Sequence, residues 1–343
     1  MDPATRTRVD RMVAAHHTEE GRPLSELMKT KDTLKGAESQ RLRTYCTSQC
    51  MEPGRDLDEY GVILAKGDLG RVKADWERRV ARHSAAATKS PAGPSSHTAG
   101  PLDTEAAAAQ EIYALRWGPT QVTIYNLLGL MRMIYPIRSS QQLEVARFLI
   151  YTAKVPVDAP DLSGTQALSH AFSTKPSVDF EYAQLLYDGG GDVNSRNRYG
   201  GTVAHEIMQI WTPQDKTVVA KATAALKWFL DHGGNIDAAE GDGLTVRYML
   251  SRVGPLAREL KKFADGVDRE RKERAKSANG CCGFCGREEE ALPKCGRCKE
   301  TRYCSPSVRA CQKLDWPHHK KGCVKVNVMD GGFSFLGTTF KPA

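Results

Sequence analysis

NRYGGTVAHEI, residues 197–207, is the stretch on which the fold turns. Gly200 stands two residues before Thr202 and five before His205. Related stretches lie on either side: DLSGTQALSHA at 161–171, around Gly164, and EGDGLTVRYML at 240–250, around Gly243. The glycines are 36 and 43 residues apart, and an insertion around Trp211 to Lys216 accounts for the longer interval. A short helical pattern and a glycine-rich corner precede the second and third stretches, AQLLYDGGGDVN ending at Asn194 and LKWFLDHGGNID ending at Asp237. Self-similarity at this period is the mark of a stacked repeat, in which each helix pair has two apolar sides and needs a neighbour on both. The glycine suits a hairpin tip, where the backbone enters a region closed to most side chains. The threonine is placed to cap the following helix by accepting a backbone N–H. The histidine can link neighbouring turns.

These residues resemble ankyrin repeats, whose pattern runs D-x-x-G-x-T-P-L-H-x-A, then a second helix, then G-A-D-V-N. Gly200, Thr202 and His205 fit their slots. Gln166 and Ser169 replace the Thr and His of the first repeat; in the third, Thr245 fits while Arg247 and Tyr248 depart, and no repeat has the proline. About four repeats are expected between roughly 120 and 267. The resemblance implies a concave protein-binding surface built from hairpins and first helices, with no active site.

Outward from the repeats, helical periodicity covers 104–275. Glu105–Trp117 and Val122–Tyr135 are apolar enough to be buried, and Leu143–Ile150 puts Val145, Phe148 and Leu149 on one face. Residues 84–103 are mostly Ala, Ser, Pro and Gly, a composition expected of a flexible linker. Residues 1–83 form an N-terminal helical region. It has a helical signal around Ser25–Tyr45, and a divergent repeat at 57–80 in which Gly67-Asp68 turns the chain. The expected division continues with repeats over 104–267, a charged connector over 268–280, a cysteine-rich unit over 281–323 and a tail over 324–343. The tail alternates Val324, Val326 and Val328, a pattern for a short strand. The mixed charges from Arg258 to Ser277 suit a solvated helix.

Eight of the ten cysteines fall between Cys281 and Cys323. In a reducing compartment such crowding favours metal over disulfides. Two C-x2-C knuckles, Cys282/Cys285 and Cys295/Cys298, are followed by Cys304, Cys311, His319 and Cys323. Thiolate with imidazole in a tetrahedron suits zinc, and eight donors mean two ions. Cys281 adjoins Cys282 and His318 adjoins His319, but the C-x2-C and H-x3-C spacings favour Cys282 and His319. With seven thiolates and two zinc ions the formal charge of +8 falls to about +5, so basic composition says little of nucleic acid.

The run is identified as a member of the MYND fingers on Tyr303-Cys304, Cys311-Gln312, Asp315-Trp316 and His319-x3-Cys323, over about 42 residues. The resemblance implies a cross-brace: Cys282, Cys285, Cys304 and Cys311 on one ion, Cys295, Cys298, His319 and Cys323 on the other. It also implies a groove for proline-containing peptides at Gln312 and Trp316, with Gly296 at a position often held by Ser. Six residues separate Cys304 from Cys311 where the family has three, either a bulge or an insertion of Val308-Arg309-Ala310. Four protein donors per ion leave no open position for catalysis, so the zinc is expected to be structural.

The fold expected is therefore mainly α, an ankyrin-like helical solenoid followed by a small cross-brace two-zinc MYND domain. The function expected is a zinc-binding interaction adaptor, not an enzyme, with proteins or proline-containing peptides as partners. Direct nucleic-acid contact is an alternative, since the finger region is basic, although it lacks a projecting recognition helix. A SET-type lysine methyltransferase is a further one, though no N-H-S-C run or post-SET cysteine trio occurs. No phosphate loop or nucleophile elbow is present to suggest a small-molecule substrate. No apolar run of eighteen residues occurs, and the polar opening MDPATRTRVDRMVAAHH lacks a signal-like stretch, which points to the cytoplasm or nucleus and away from the membrane. The corner DGGGD at 188–192 lacks EF-hand spacing. Cys46 and Cys50, four apart on a helix, read as an inert pair, and His170 and His205 as structural.

Overall fold

The structure is a computed structural model. It describes residues 21–89, 101–172, 178–208, 215–252, 261–262, 264–267, 269–270, 273, 282–284, 292–303, 310–320 and 323–324. The described residues are mainly helical, with isolated bridges and no strands. The helices are α1 (Leu24–Leu27), α2 (Gly36–Ser48), α3 (Pro53–Asp56), α4 (Glu59–Lys66), α5 (Leu69–Lys89), α6 (Pro101–Tyr113) and α7 (Ile124–Ile134). They continue as α8 (Ser139–Arg147), α9 (Ala167–His170), α10 (Phe180–Asp188), α11 (Val203–Ile207), α12 (Lys216–Asp231), α13 (Val246–Arg252) and α14 (Ala310–His319). Contacts divide the chain into two units. One comprises Met1–Phe229 with Ile236–Lys261, the other Leu230–Asn235 with Lys262–Ala343. No helix among the described residues is long and apolar enough to cross a membrane.

In the first unit the three repeat glycines build one hairpin three times. Gly164, Gly200 and Gly243 have φ of 76°, 77° and 84°, a region that favours glycine. Each closes the same turn: Gly164 N–H donates to Asp161 C=O, Gly200 to Asn197 and Gly243 to Glu240, all at 2.9 Å. One step out, the N–H groups of Asp161, Asn197 and Glu240 donate to Thr165, Gly201 and Leu244 C=O. A fourth hairpin precedes them. There Gln121 takes the glycine's place at φ 55°, with its N–H on Gly118 C=O, and Thr123 begins α7 two residues later.

The four tips stack as a ladder with one rung per step. Leu162 N–H donates to Thr120 C=O at 2.9 Å, Arg198 to Ser163 at 2.8 Å and Gly241 to Tyr199 at 2.7 Å. The inner helices α7, α9, α11 and α13 each follow a tip. Buried Leu127, Leu128, Leu168, Val203, Ile207 and Val246 join them to outer helices that bury Leu185, Leu186, Leu226 and Phe229. Buried tyrosines hold neighbouring repeats together: Tyr182 OH donates to Tyr125 C=O at 2.7 Å, and Tyr125 OH to Val155 C=O at 2.8 Å. Such buried hydroxyls are stable only when paired.

His205 is the polar link between the second and third glycine repeats. Its Nδ1 accepts from Thr202 N–H at 3.1 Å, and its Nε2 faces Leu244 C=O at 3.1 Å. Bonded that way the ring is neutral with the proton on Nε2, and burial pulls its pKa down to about 4. The expected threonine cap is made, the Thr202 side chain accepting from the His205 N–H, and the histidine completes a capping box by reaching back to the Thr202 N–H. In the next repeat Thr245 also caps, accepting from Tyr248 N–H at 3.1 Å.

Several element boundaries differ from the sequence expectation. The linker expected at 84–103 is shorter, because α5 runs on to Lys89 and α6 begins at Pro101. Alanines at 85–87 favour helix, so composition alone marked the stretch too early as unstructured. Residues 90–100 lie outside the described residues, as do most of the insertion expected around Trp211 to Lys216, most of the charged connector and the tail beyond Val324. The signal at Ser25–Tyr45 resolves into α1 and α2. At 57–80, Gly67 ends α4 with φ 69°, as the Gly67-Asp68 turn required.

Candidate metal centre

The second knuckle sits in a small hairpin of the second unit. Tyr303 N–H donates to Pro293 C=O at 2.9 Å, Cys295 N–H to Thr301 C=O at 2.7 Å, and Lys294 and Arg302 form an antiparallel bridge. The turn Cys295-Gly296-Arg297-Cys298 ends with Lys299 at φ 58°, its N–H on Cys295 C=O at 2.9 Å. This turn aims backbone donors at sulfur, from Arg297 and Cys298 to the Cys295 thiol and from Glu300 and Thr301 to the Cys298 thiol. Burial pushes both thiols up, but these donors outweigh it and leave both pKa values below that of free cysteine. The knuckle therefore favours thiolate, the form that binds metal.

Four donors converge here: Cys295, Cys298, His319 and Cys323, with all ligand atoms within 4.8 Å of one another. Cys295 Sγ lies 3.9 Å from Cys323 Sγ, and Cys298 Sγ lies 3.5 Å from His319 Nε2. A tetrahedron with Zn–S arms of 2.3 Å has edges of about 3.8 Å, and an S–N edge of about 3.6 Å when one arm is a Zn–N bond. The two separations match those edges, so the donor set fits zinc in both chemistry and spacing. His319 Nδ1 lies 3.4 Å from Thr301 Oγ1. With Nε2 turned to the cluster, Nδ1 carries the proton and the threonine hydroxyl receives it, fixing the tautomer.

Helix α14 carries the outer side of the centre. Cys311, Asp315 and His319 fall at i, i+4 and i+8, along one stripe. Eight residues rise about 12 Å, so Cys311 and His319 cannot serve one ion. Between them Asp315 Oδ2 accepts from Tyr303 OH at 2.6 Å, pinning the helix to the hairpin. Burial and the Asp315 carboxylate hold the Tyr303 phenol far above its ordinary range. The Tyr303 ring meets His319 edge-on at 5.9 Å.

Of the four donors expected for the other ion, Cys282 and Cys311 are buried in the second unit. Cys285 and Cys304, with most of the six-residue spacer that follows Cys304, lie outside the described residues. Gly283 N–H donates to Arg302 C=O at 2.8 Å, docking the first knuckle on the hairpin. A Cβ at Gly283 would sit 2.7 Å from the Thr301 methyl, so glycine is required by that close approach. The second unit also takes in Leu230–Asn235, whose buried Asn235 side chain donates to Phe284 C=O at 2.8 Å.

The expected peptide contacts lie on the solvent side. Gln312 is half-buried, Trp316 is exposed one turn along the same helix, and Gly296 is exposed with open space where a Cβ would stand. The roles of Thr301 and of the Tyr303–Asp315 bond were not evident in the sequence, because partners other than ligands carry no spacing rule.

Residues 282–323 match the family model of the MYND finger. The chain is similar over this segment to the N-lysine methyltransferase SMYD2 of Sus scrofa, 52% identical over 42 residues, and to that of Homo sapiens, 50% identical over 42 residues. In each case the match spans 12% of this chain and 9% of the relative. A solved ankyrin repeat domain from Acinetobacter baumannii aligns with 61% of this chain and 98% of its own length, at 16% identity and a TM-score of 0.37. The finger is thus a zinc-binding protein-interaction module of the MYND type.

Proposed function

We propose that the chain is a non-catalytic adaptor that joins two protein partners, one at the repeat body and one at the finger. In this reading the finger holds two structural zinc ions. Cys282, Cys285, Cys304 and Cys311 bind the first, and Cys295, Cys298, His319 and Cys323 the second. Gln312, Trp316 and Gly296 receive an extended, proline-containing peptide. The methyltransferase activity in the relatives' names belongs to proteins of which the matched segment is 9%, and it is not carried over.

The observation that carries the reading is the two-sided character of α14. One stripe faces inward with Cys311, Asp315 and His319, while Trp316 is left 36% exposed. An indole ring on a rigid helix, held 6.0 Å from the His319 ring, is a ready platform for a proline ring. Trp316→Ala should weaken capture from an array of proline-containing peptides by about 2 kcal/mol or more while the zinc count stays at two per chain. Array binding, read beside native mass spectrometry, checks both parts. Unchanged capture sinks the groove, and fewer than two metals sinks the cross-brace.

A further inference from the structure

The hairpin tips of the first unit carry residues that a solvated turn does not need. Leu162, Arg198 and Tyr199 occupy the two central positions of their turns, and all three are buried. What covers them is the chain's own segment 21–48. Leu27, Leu34 and Leu42 form one apolar cluster with Leu162 and Tyr199, flanked by Met28, Tyr45 and Cys46. Leu34 N–H donates to Arg198 C=O at 2.6 Å, and Gly36 N–H to Asp242 Oδ1 at 3.0 Å. The Arg198 guanidinium donates to Thr30 Oγ1 at 2.9 Å and to Asp32 C=O at 3.3 Å. Arg43 lies 3.9 Å over the Tyr199 ring and 3.6 Å from Glu240.

Two further features mark this as a recognition contact. The third tip is shaped to the arm, since a Cβ on Gly241 would stand 2.5 Å from Leu34 C=O, and a side chain there would lift the segment away. The arm also closes on itself. Arg22 pairs with Asp32 and with Glu38, each at 2.7 Å, clasping α1 to α2 without help from the repeats. A segment that is clasped internally and meets the body through leucines, one arginine and a backbone pair in the loop between its two helices has the anatomy of a bound helix–loop–helix peptide.

We infer that the row of hairpin tips is a docking surface for a helix–loop–helix segment bearing spaced leucines and a cation, that residues 21–48 fill it as a built-in ligand, and that an outside protein reaches it by presenting the same chemistry in their place. This rests on the reading of the repeats as a protein-binding body. The arm contributes Cys46 to the wall of a cavity of about 500 Å³, shared with Tyr125, Asn126, His170, Phe180 and Tyr182, so its departure also opens that space. Cys46 is half-buried, and burial pushes its thiol up to about 11, whereas Cys50, two residues beyond the arm, is exposed. The two cysteines therefore report on the arm's position.

The test uses the full chain, its Leu27→Asp/Leu34→Asp variant and a fluorescent synthetic peptide of residues 21–48. An internal occupant taxes binding in trans by the fraction of time the surface is open. The variant should bind the peptide at least about tenfold more tightly than the unaltered chain does. Its Cys46 should be alkylated, relative to Cys50, about tenfold faster or more. Three results overturn the inference: an unchanged Cys46 ratio, a freed Cys46 without peptide binding, or loss of the repeat body's helicity and melting transition in the variant. The last would make the arm part of the core. Exchange of the peptide in a chain whose repeats capture no other protein would sink the adaptor reading of the repeats and the outside protein inferred here, leaving the arm a displaceable ligand of its own chain alone.

Discussion

The repeat body and the finger are both small-module structures, but they are held together by different physics. In the body, no single contact is decisive. Each tip adds one backbone hydrogen bond to its neighbour and each helix pair adds a layer of leucine, valine and phenylalanine, so stability is spread over the stack. In the finger, one hairpin and one helix converge on a few sulfur and nitrogen atoms, and the described apolar core is little more than Phe284, Leu292 and Tyr303. A distributed fold fails gradually and a ligand-centred fold fails at once. Joining the two kinds in one chain gives units that should respond to different insults.

The largest expected effect separates them by metal. Removing zinc with a strong chelator, or replacing Cys298 with Ser, should unfold the finger, since structural zinc supplies on the order of 10–16 kcal/mol to such units. The body's melting transition should stay where it is. Native mass spectrometry with a far-UV thermal scan reads both, and a shared collapse would show that the body also depends on the metal.

An intermediate effect separates them by protons. His205 is buried neutral with a pKa near 4, while the unfolded chain's histidine titrates near 6.5. The unfolded state takes up a proton below 6.5 that the folded state refuses. The stabilisation is therefore full above that pH and is lost as pH falls toward 4, by about 3 kcal/mol in all. His205→Gln should flatten this part of the body's stability profile, measured by denaturant titration between pH 4 and 7. A variant with the wild-type slope would assign the acid sensitivity elsewhere.

The smallest effect tests whether the finger's metal is tuned by a residue that does not touch it. Thr301→Val removes the hydroxyl facing His319 Nδ1 and should lower zinc affinity by about 10- to 100-fold without changing the fold. Competition with a fluorescent chelator measures it. No change would mean that His319 is oriented by packing on Tyr303 alone.

What could be read from the sequence followed the same divide. The four donors that converge in the second cluster were grouped by the resemblance to the MYND fingers, and the H-x3-C spacing chose His319 over its neighbour His318. The glycine tips were legible because φ near +80° selects a residue type. The first hairpin falls within the four repeats expected from roughly 120, but its tip could not be placed because Gln121 occupies the glycine's slot and a non-glycine there leaves no mark. The arm was hidden for another reason. Leu27, Leu34 and Leu42 are spaced by seven and eight, which reads as one short helical signal. Their partners, Leu162 and Tyr199, are more than a hundred residues away. The Thr202 cap was legible as well; what the sequence did not show is that His205, one turn on, reaches back to the Thr202 N–H and completes a capping box.

The ladder of tips carries a further consequence. From Gln121 to Gly164 is 43 residues, from Gly164 to Gly200 is 36, and from Gly200 to Gly243 is 43 again, yet every step is bridged by the same kind of bond. Length added or lost between tips leaves the registry of the row unaltered. The body can thus drift in repeat length while the address its tips present is preserved.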